Sequence, residues 1–309
     1  MPQFTLRAMR ADEYQAVADI ICASIRTWYA SIGKTGRFPG GPTSCLLFPQ
    51  VYEGLDPGCC LVAEDVASGR LAASCFYHPR STHVALGIMT AHPDYFRSGV
   101  ARPIVQYICD FADRAGLPIR LVSSAMNLDS FSLYTRFGFT ARSVFHDMTV
   151  KVPADGFAFG CDGLARVRPG RPGDAAAMTQ LEFEITGIRR DKDWAYLLEN
   201  SLGIWKTLVI ENSRGRLDGF LSSIAHPASN MLGPGVMRTE ADAAALILAQ
   251  LNVHRGQSPV WLVPAVCGQL IQQLYGWGFR NCEIHVFQCR GPAQPFNGVA
   301  MGTFMPETG

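Results

Sequence analysis

The sequence predicts an α/β protein, α+β in the arrangement of its parts, built from two similar domains in tandem. Three observations lead there. A strand-like run from Leu86 to Ala91 passes through a turn with Arg97, Ser98 and Gly99 into the helix-periodic residues Ile104, Val105, Ile108 and Phe111. A stretch rich in small breakers and without periodicity, residues 153–165, divides the 309-residue chain into halves. The order of segments in the first half then returns in the second. ARVRPGRPGDAAAM, from residue 165, echoes TLRAMRADEYQAV, from residue 5. GRLDGFLSSI echoes GRLAASCFY, and LYGWGF echoes LYTRFGF. An order-preserving repeat marks a duplicated unit. The expected domains are residues 1–155 and 164–309.

In chain order, FTLR at the N-terminus reads as a strand. Asp12 follows as a cap for a helix carrying Tyr14, Val17, Ile20 and Ile21 on one face. Residues 33–44 form a Gly/Pro loop. Gly33-Lys34-Thr35 is not a phosphate-binding P-loop, because Trp28 stands where that loop needs glycine and no strand precedes it. CLVAED and LAASCFY are strands joined at Ala67-Ser68-Gly69. After the strand, turn and helix of residues 86–111, Gly116-Leu117-Pro118 stops the helix. IRLVSSA is a buried strand, Phe131 to Phe137 a short helix, and HDMTVKV the closing strand. In the second half, Asn230 to Gly235 (NMLGPG) reads as a loop, followed by VMRT and the helix EADAAALILAQL. Tyr275 and Trp277 are expected in the core.

A strand, glycine turn and helix in succession leave backbone N–H groups unpaired at a positive helix end, which suits a phosphate. The residues here resemble something more specific. Pro93, Arg97, Gly99, Val100 and Ala101 resemble motif A of the GNAT superfamily of N-acetyltransferases. Asn127, Ser130, Leu133, Tyr134, Gly138 and Phe139 resemble the second segment of that family, at the expected distance. The resemblance covers about residues 4–150. It implies a mixed, mostly antiparallel sheet flanked by helices in each half, and acyl transfer from acetyl-CoA or another acyl-CoA without a metal. Arg97, Ser98, Gly99, Val100, Ala101 and Arg102 are then expected to hold the pyrophosphate. Met89, Thr90 and Ala91 would pair with the pantetheine arm, and Asn127 and Ser130 complete the cofactor-binding set. Tyr134 is expected as the acid that protonates the leaving thiolate. The family usually opens the loop with Arg or Gln, where this chain has Phe96. The second half keeps the frame but puts Pro234 in its glycine segment, which removes an amide donor. It is expected to be degenerate and not to bind coenzyme A.

The general base is not given by the motif. LGIMTA carries no acid. His83, at the head of that strand, is the choice from a group that also holds His78, His92, His146 and Asp147, with a water chain ordered by Ser123 and Ser124 as the alternative. The acceptor, a small-molecule amine, is expected near Trp28, Tyr29 and Arg26, with Ser123 beside it. The segment GIRRDKDW offers Arg189, Arg190 and Trp194 as a second wall, although RRDKD reads first as a solvated loop. Donor delivery by an acyl carrier protein in a biosynthetic pathway, or a coenzyme-binding regulatory module without turnover, are the alternatives.

Composition closes off other classes. The net charge is +1 and is balanced between the halves, which argues against a nucleic-acid partner. No signal-like apolar segment or membrane-length run occurs. The ten cysteines show no C-x-x-C or zinc spacing and several, such as Cys75 and Cys109, sit in apolar runs. Reduced thiols in a cytoplasmic protein are expected.

Overall fold

A computed structural model describes residues 2–303. The first half contains β1 (Phe4–Ala8), α1 (Tyr14–Ser31), α2 (Gly41–Ser44), α3 (Leu47–Leu55), β2 (Cys60–Asp65), β3 (Leu71–Pro79), β4 (Val84–Ala91), α4 (Ala101–Ala115), β5 (Ile119–Ser124), α5 (Leu128–Arg136) and β6 (Thr140–Thr149). The second contains β7 (Val167–Pro169), α6 (Ala175–Thr186), α7 (Asp191–Glu199), β8 (Trp205–Glu211), β9 (Leu217–His226), β10 (Ser229–Met237), α8 (Glu240–Leu251), β11 (Val260–Pro264), α9 (Gly268–Gly276), β12 (Arg280–Arg290) and β13 (Val299–Met301). The α/β class holds, and the sheet is mixed and mostly antiparallel.

Several expectations are corrected. Asp12 does not cap α1; it lies inside a 3-10 turn, and the Glu13 carboxylate closes that turn by accepting the Arg10 N–H at 2.7 Å. The helix α3, with Phe48, Val51 and Tyr52 buried, follows the Gly/Pro loop where no element was expected. NMLGPG is not a loop but part of strand β10, so only Arg238 and Thr239 separate it from α8, which Thr239 caps. Tyr275 is not in the core but 45% exposed, because Leu270, Ile271 and Leu274 supply the buried face of α9. Trp277 is partly buried and stacks on Phe159 at 5.5 Å.

All the strands but β13 lie in one continuous path, in the order β1-β2-β3-β4-β5-β12-β6-β11-β10-β9-β8-β7. The middle of that order is the decisive feature. The strand beside β5 is not β6 but β12, paired from His285 opposite Ser124 to Arg290 opposite Ile119. In turn β6 pairs with β11, from Val260 opposite Thr149 to Pro264 opposite Phe145. Each half therefore gives its last long strand to the other half's sheet. The two exchanged strands pair with each other as well.

Packing follows this topology. One apolar cluster lies under α4 and α5 in the first half, around Ile104, Ile108, Leu121 and Tyr134. Another surrounds α8 in the second half. A third spans both, joining Phe48, Val51 and Tyr52 to Trp194, Trp205 and Phe220. The charged run RRDKD is not a solvated loop. It begins α7 and is docked on the first half. Arg80 donates to Asp56 at 2.9 Å and to Asp193 at 2.9 Å, Lys192 pairs with Asp56, and His78 Nδ1 lies 2.6 Å from Asp56 Oδ2.

We propose the halves as residues 1–155 and 164–309, the extreme ends of which lie outside the described residues. The exchange makes them interdependent. Residues 1–155 alone are expected to fail as an active, soluble protein, since β5 loses its neighbour and the shared apolar face is exposed. Turnover by that fragment at the rate of the whole chain would refute this.

Candidate active site

The site forms where β4 and β5 part. They are parallel and paired only at Val84–Ile119 and Ala85–Arg120. Beyond that point a bulge bends β4: two residues, Gly87 and Ile88, stand against the single Phe76 of β3. The strands diverge, and among the described residues no strand lies beside the β5-facing backbone edge of β4 from Leu86 to Ala91. Such an edge offers N–H and C=O groups to an extended polar ligand. Met89 and Ala91 face this region at half-burial. Thr90 is buried, its hydroxyl 3.2 Å from that of Ser74 on β3.

At the open end the chain turns sharply into α4. Arg97 has φ 60° and Gly99 φ 87°, so this stretch is in the left-handed region that glycine adopts without strain. Among the described residues, the N–H groups of Arg97, Gly99 and Val100 make no hydrogen bond to the backbone. They stand at the N-terminus of a 15-residue helix whose dipole favours an anion. Arg97 is exposed and lies 3.8 Å from Asp129 at the start of α5. Arg102 belongs to the first turn of α4. Asn127 caps α5 by accepting the Ser130 N–H at 3.1 Å, which fixes the second segment of the motif beside the loop. Phe96, Met126 and Leu128 leave exposed apolar surface at this mouth.

Tyr134 sits on the inner side of α5, buried against Phe139 and close to Cys75, the cross-strand partner of Met89. Burial pushes its phenol well above the ordinary value, with Cys75 adding to the effect. The ring thus lies at the parted end of β4.

His83 is not brought to this place. It precedes β4 at the closed end of the β4–β5 pair, six residues from Met89, or about 20 Å along an extended strand. It is fully buried, and burial together with Arg120, Arg190 and Arg80 holds its pKa well below the ordinary histidine value. An imidazole so placed does not reach an amine beside Tyr134, which corrects the choice of base. His78 and Asp56 likewise belong to the contact between halves, and His92 lies outside with its ring accepting the Asp94 N–H.

The exchange supplies groups that sequence reading missed. At the end of β5, Ser124 donates to Glu283 Oε1 at 2.6 Å. Tyr29 donates to Glu283 Oε2 at 3.1 Å and Lys34 at 3.0 Å, with Arg37 at 3.4 Å. Trp28 packs edge-on to Tyr29, and Arg37 lies over the Tyr29 ring at 4.1 Å. On the same face of β12, His285 Nδ1 lies 2.7 Å from Asp147 Oδ2 of β6. Burial raises the Glu283 carboxyl, but the Ser124 hydrogen bond, His285 and Lys34 outweigh it and the pKa is lowered. Burial dominates at Asp147 and raises it. Ser123 points elsewhere, donating to Gln288 at 3.1 Å. The structure thus joins Trp28 and Tyr29 to Glu283, His285 and Asp147 at the end of β5, and leaves Arg26 on the exposed face of α1. The signal for Glu283 and His285 was the alternation of two ionisable residues with apolar ones in Glu283-Ile284-His285-Val286. Arg189, Arg190 and Trp194 wall the contact between halves instead.

The second half repeats the frame with its opening filled. Its β10 and β11 are parallel only at Met231–Val260 and Leu232–Trp261. Past that point β13 runs antiparallel to β10, from Gly235 opposite Met301 to Met237 opposite Val299, and packs on β11. The chain's own backbone occupies the edge that stays open in the first half, and no glycine loop precedes α8.

A parted parallel pair with a glycine turn at a helix N-terminus and a buried tyrosine opposite defines an acyltransferase that uses a coenzyme A thioester. Comparison with known proteins agrees. Residues 26–139 match the acetyltransferase (GNAT) family. Solved structures share the fold over nearly the whole chain. A GCN5-related N-acetyltransferase from Sphaerobacter thermophilus has TM-score 0.62 and 17% identity, covering 96% of this chain and 98% of its own. A provisionally assigned acetyltransferase from Pyrococcus horikoshii has TM-score 0.72 and 13% identity, covering 96% and 91%. A tandem GNAT protein from the clavulanic acid biosynthesis pathway has TM-score 0.61 and 14% identity, covering 94% and 100%. At these identities the likeness concerns the fold. No curated protein matches by sequence. The first half carries the acetyltransferase (GNAT) family match, and the chain as a whole shares its fold with a tandem GNAT protein. No helix among the described residues is long and apolar enough to cross a membrane.

Proposed function

We propose that the protein is an N-acyltransferase that moves an acetyl or other acyl group from a coenzyme A thioester to a small-molecule amine by direct attack. The observation that carries this is the contrast between the two openings, one without a strand among the described residues and one filled by β13. The residues fit the donor: N–H groups of Arg97, Gly99 and Val100 for the pyrophosphate, with Ser98, Ala101 and Arg102 beside them, and the β4 edge at Met89–Ala91 for the arm. When bound, the donor supplies an activated thioester carbon. Tyr134 holds a proton for the departing sulfur. Tyr29, Lys34, Arg37 and Ser124 fix Glu283, and with His285 and Asp147 they form the polar wall that orients the amine and receives its proton. Proximity of this kind accounts for a large share of rate enhancement in such direct transfers.

The exposed Phe96, Met126 and Leu128 favour a second reading, in which the same arm arrives on an acyl carrier protein. Residence in the cytoplasm fits ten free cysteines. Thioester consumption with release of free thiol, followed across a panel of amines, tests turnover; no thiol release with any amine would leave a binding module. Calorimetry on the whole chain is expected to give one coenzyme A site per chain, removed by Gly99→Val. Two sites would mean that β13 yields its place.

A further inference from the structure

We infer that the cleft between the halves at the closed end of β4 and β5 is a second ligand site, which takes a small molecule through a carboxylate or phosphate oxyanion. The cleft has a volume of about 500 Å³, within the ordinary range for small-molecule sites. It is bounded by His83, Arg120 and Arg142 of the first half and by Thr186 and Gln294 of the second.

The charge of this lining selects the ligand. Two arginines line the cleft, and among the described residues no carboxylate does. Arg120 is buried, with its guanidinium 4.4 Å from the Phe287 ring centre and 6.0 Å from that of Phe296. Arg142 is exposed on β6. His83 is fully buried, holds Thr82 Oγ1 3.1 Å from its Nδ1, and has no hydrogen-bond partner at Nε2. A buried polar nitrogen left without a partner costs about 1–3 kcal/mol, which a ligand oxygen would remove. A water-sized void adjoins the cleft through Arg120, Thr186 and Ile188. There Arg190 Nη1 is also buried without a partner, while its Nε donates to Glu182 at 2.9 Å.

One feature opposes an anion, the carbonyl end of α6, which opens on the same cleft. Three of the carbonyls at that end, those of Glu182, Phe183 and Ile185, are already taken. Gly187 N–H donates to Phe183 O at 2.9 Å, Asn297 N–H to Ile185 O at 2.8 Å, and the Thr186 hydroxyl to Glu182 O at 2.7 Å. Pro118, Ile188, Pro292 and Ala293 give the remaining wall an apolar surface, so the ligand carries an apolar body as well as its charged group. Arg120 and Ser124 lie four residues apart on β5, about 13 Å along the strand, so this cleft is separate from the polar wall of the acyl-transfer site.

The test uses the whole chain saturated with coenzyme A, so that the loop before α4 cannot take the probe. Crystals soaked in tungstate are expected to show an anomalous peak within hydrogen-bond reach of His83 Nε2 and a guanidinium of Arg120 or Arg142. In solution, inorganic phosphate and malonate are titrated separately; the tighter of the two names the ligand's charged group. Arg142→Ala, at an exposed position that folding tolerates, is expected to weaken binding about tenfold or more, the loss of one charge-assisted contact. Arg120→Met should do the same, with an unchanged circular dichroism spectrum confirming the fold. No peak in the cleft, no binding of either anion, or undiminished affinity in Arg142→Ala would overturn the assignment.

Discussion

Tyr134→Phe is expected to lower kcat by roughly 10²–10⁴, the range for losing a general acid, with little change in donor affinity. The ring packs on Phe139 in either form, so the fold and the arm's surroundings persist. The missing hydroxyl matters only when sulfur departs. Burial makes the phenol a weaker acid than in water, but the same dry surroundings raise the thiol it serves, so donor and recipient move together. Because burial raises the phenol, it stays protonated through the neutral range and beyond. No alkaline limb from Tyr134 should therefore appear in the wild-type rate profile below about pH 10. A variant with near-wild-type turnover would reduce Tyr134 to a packing residue.

Arg80→Met should be the most destabilising surface-neutral change in the contact between halves. Arg80 is buried and bridges Asp56 of the first half and Asp193 of the second. Its removal leaves two buried carboxylates short of a partner, a loss of about 3–5 kcal/mol. Denaturant midpoints measure it, and a change under about 1 kcal/mol would mean that Lys192 and His78 suffice. The pH dependence has a fixed sign. Burial would raise the Asp56 carboxyl, but hydrogen bonds from His78 and Arg80 hold it far below its ordinary 3.8. The folded-state value is the lower one, so this stabilisation is complete above about pH 4 and fades as the pH falls further. Arg80→Met should lose that acid-dependent part.

The strand, turn and helix of the proposed donor side were legible because they are local. Strand, turn and helix lie within about thirty residues, and the positive φ values at Arg97 and Gly99 sit where glycine chemistry pointed. The acceptor side was not, because Glu283 and His285 reach Ser124 from the far end of the chain by a pairing that no local pattern encodes. His83 failed for a related reason. The head of a strand and its tail are neighbours in sequence, yet an extended chain sets them a whole sheet width apart. RRDKD was misjudged because charge runs are usually solvated, and its partners Asp56 and Arg80 lie elsewhere. NMLGPG was misjudged because glycine and proline mark turns, whereas in β10 Gly233 leaves room for Gly302 and Thr303, just past β13, and Gly235 for Phe220 and Leu221 of β9. The repeat survived all of this, since it depends on the order of elements and not on their contacts.

The placement of β12 also governs how the protein comes into being. During synthesis the edge of β5 emerges long before the residues that cover it, because about 160 intervening residues have to be made first. Synthesis at about 5–20 residues per second leaves that edge open for on the order of ten seconds or more. The first copy cannot mature on the ribosome as a finished unit. Both copies reach their final state in one late, non-local step, which carries the slow rate of high contact order. A chaperone that shields strand edges would act on the nascent chain in that interval.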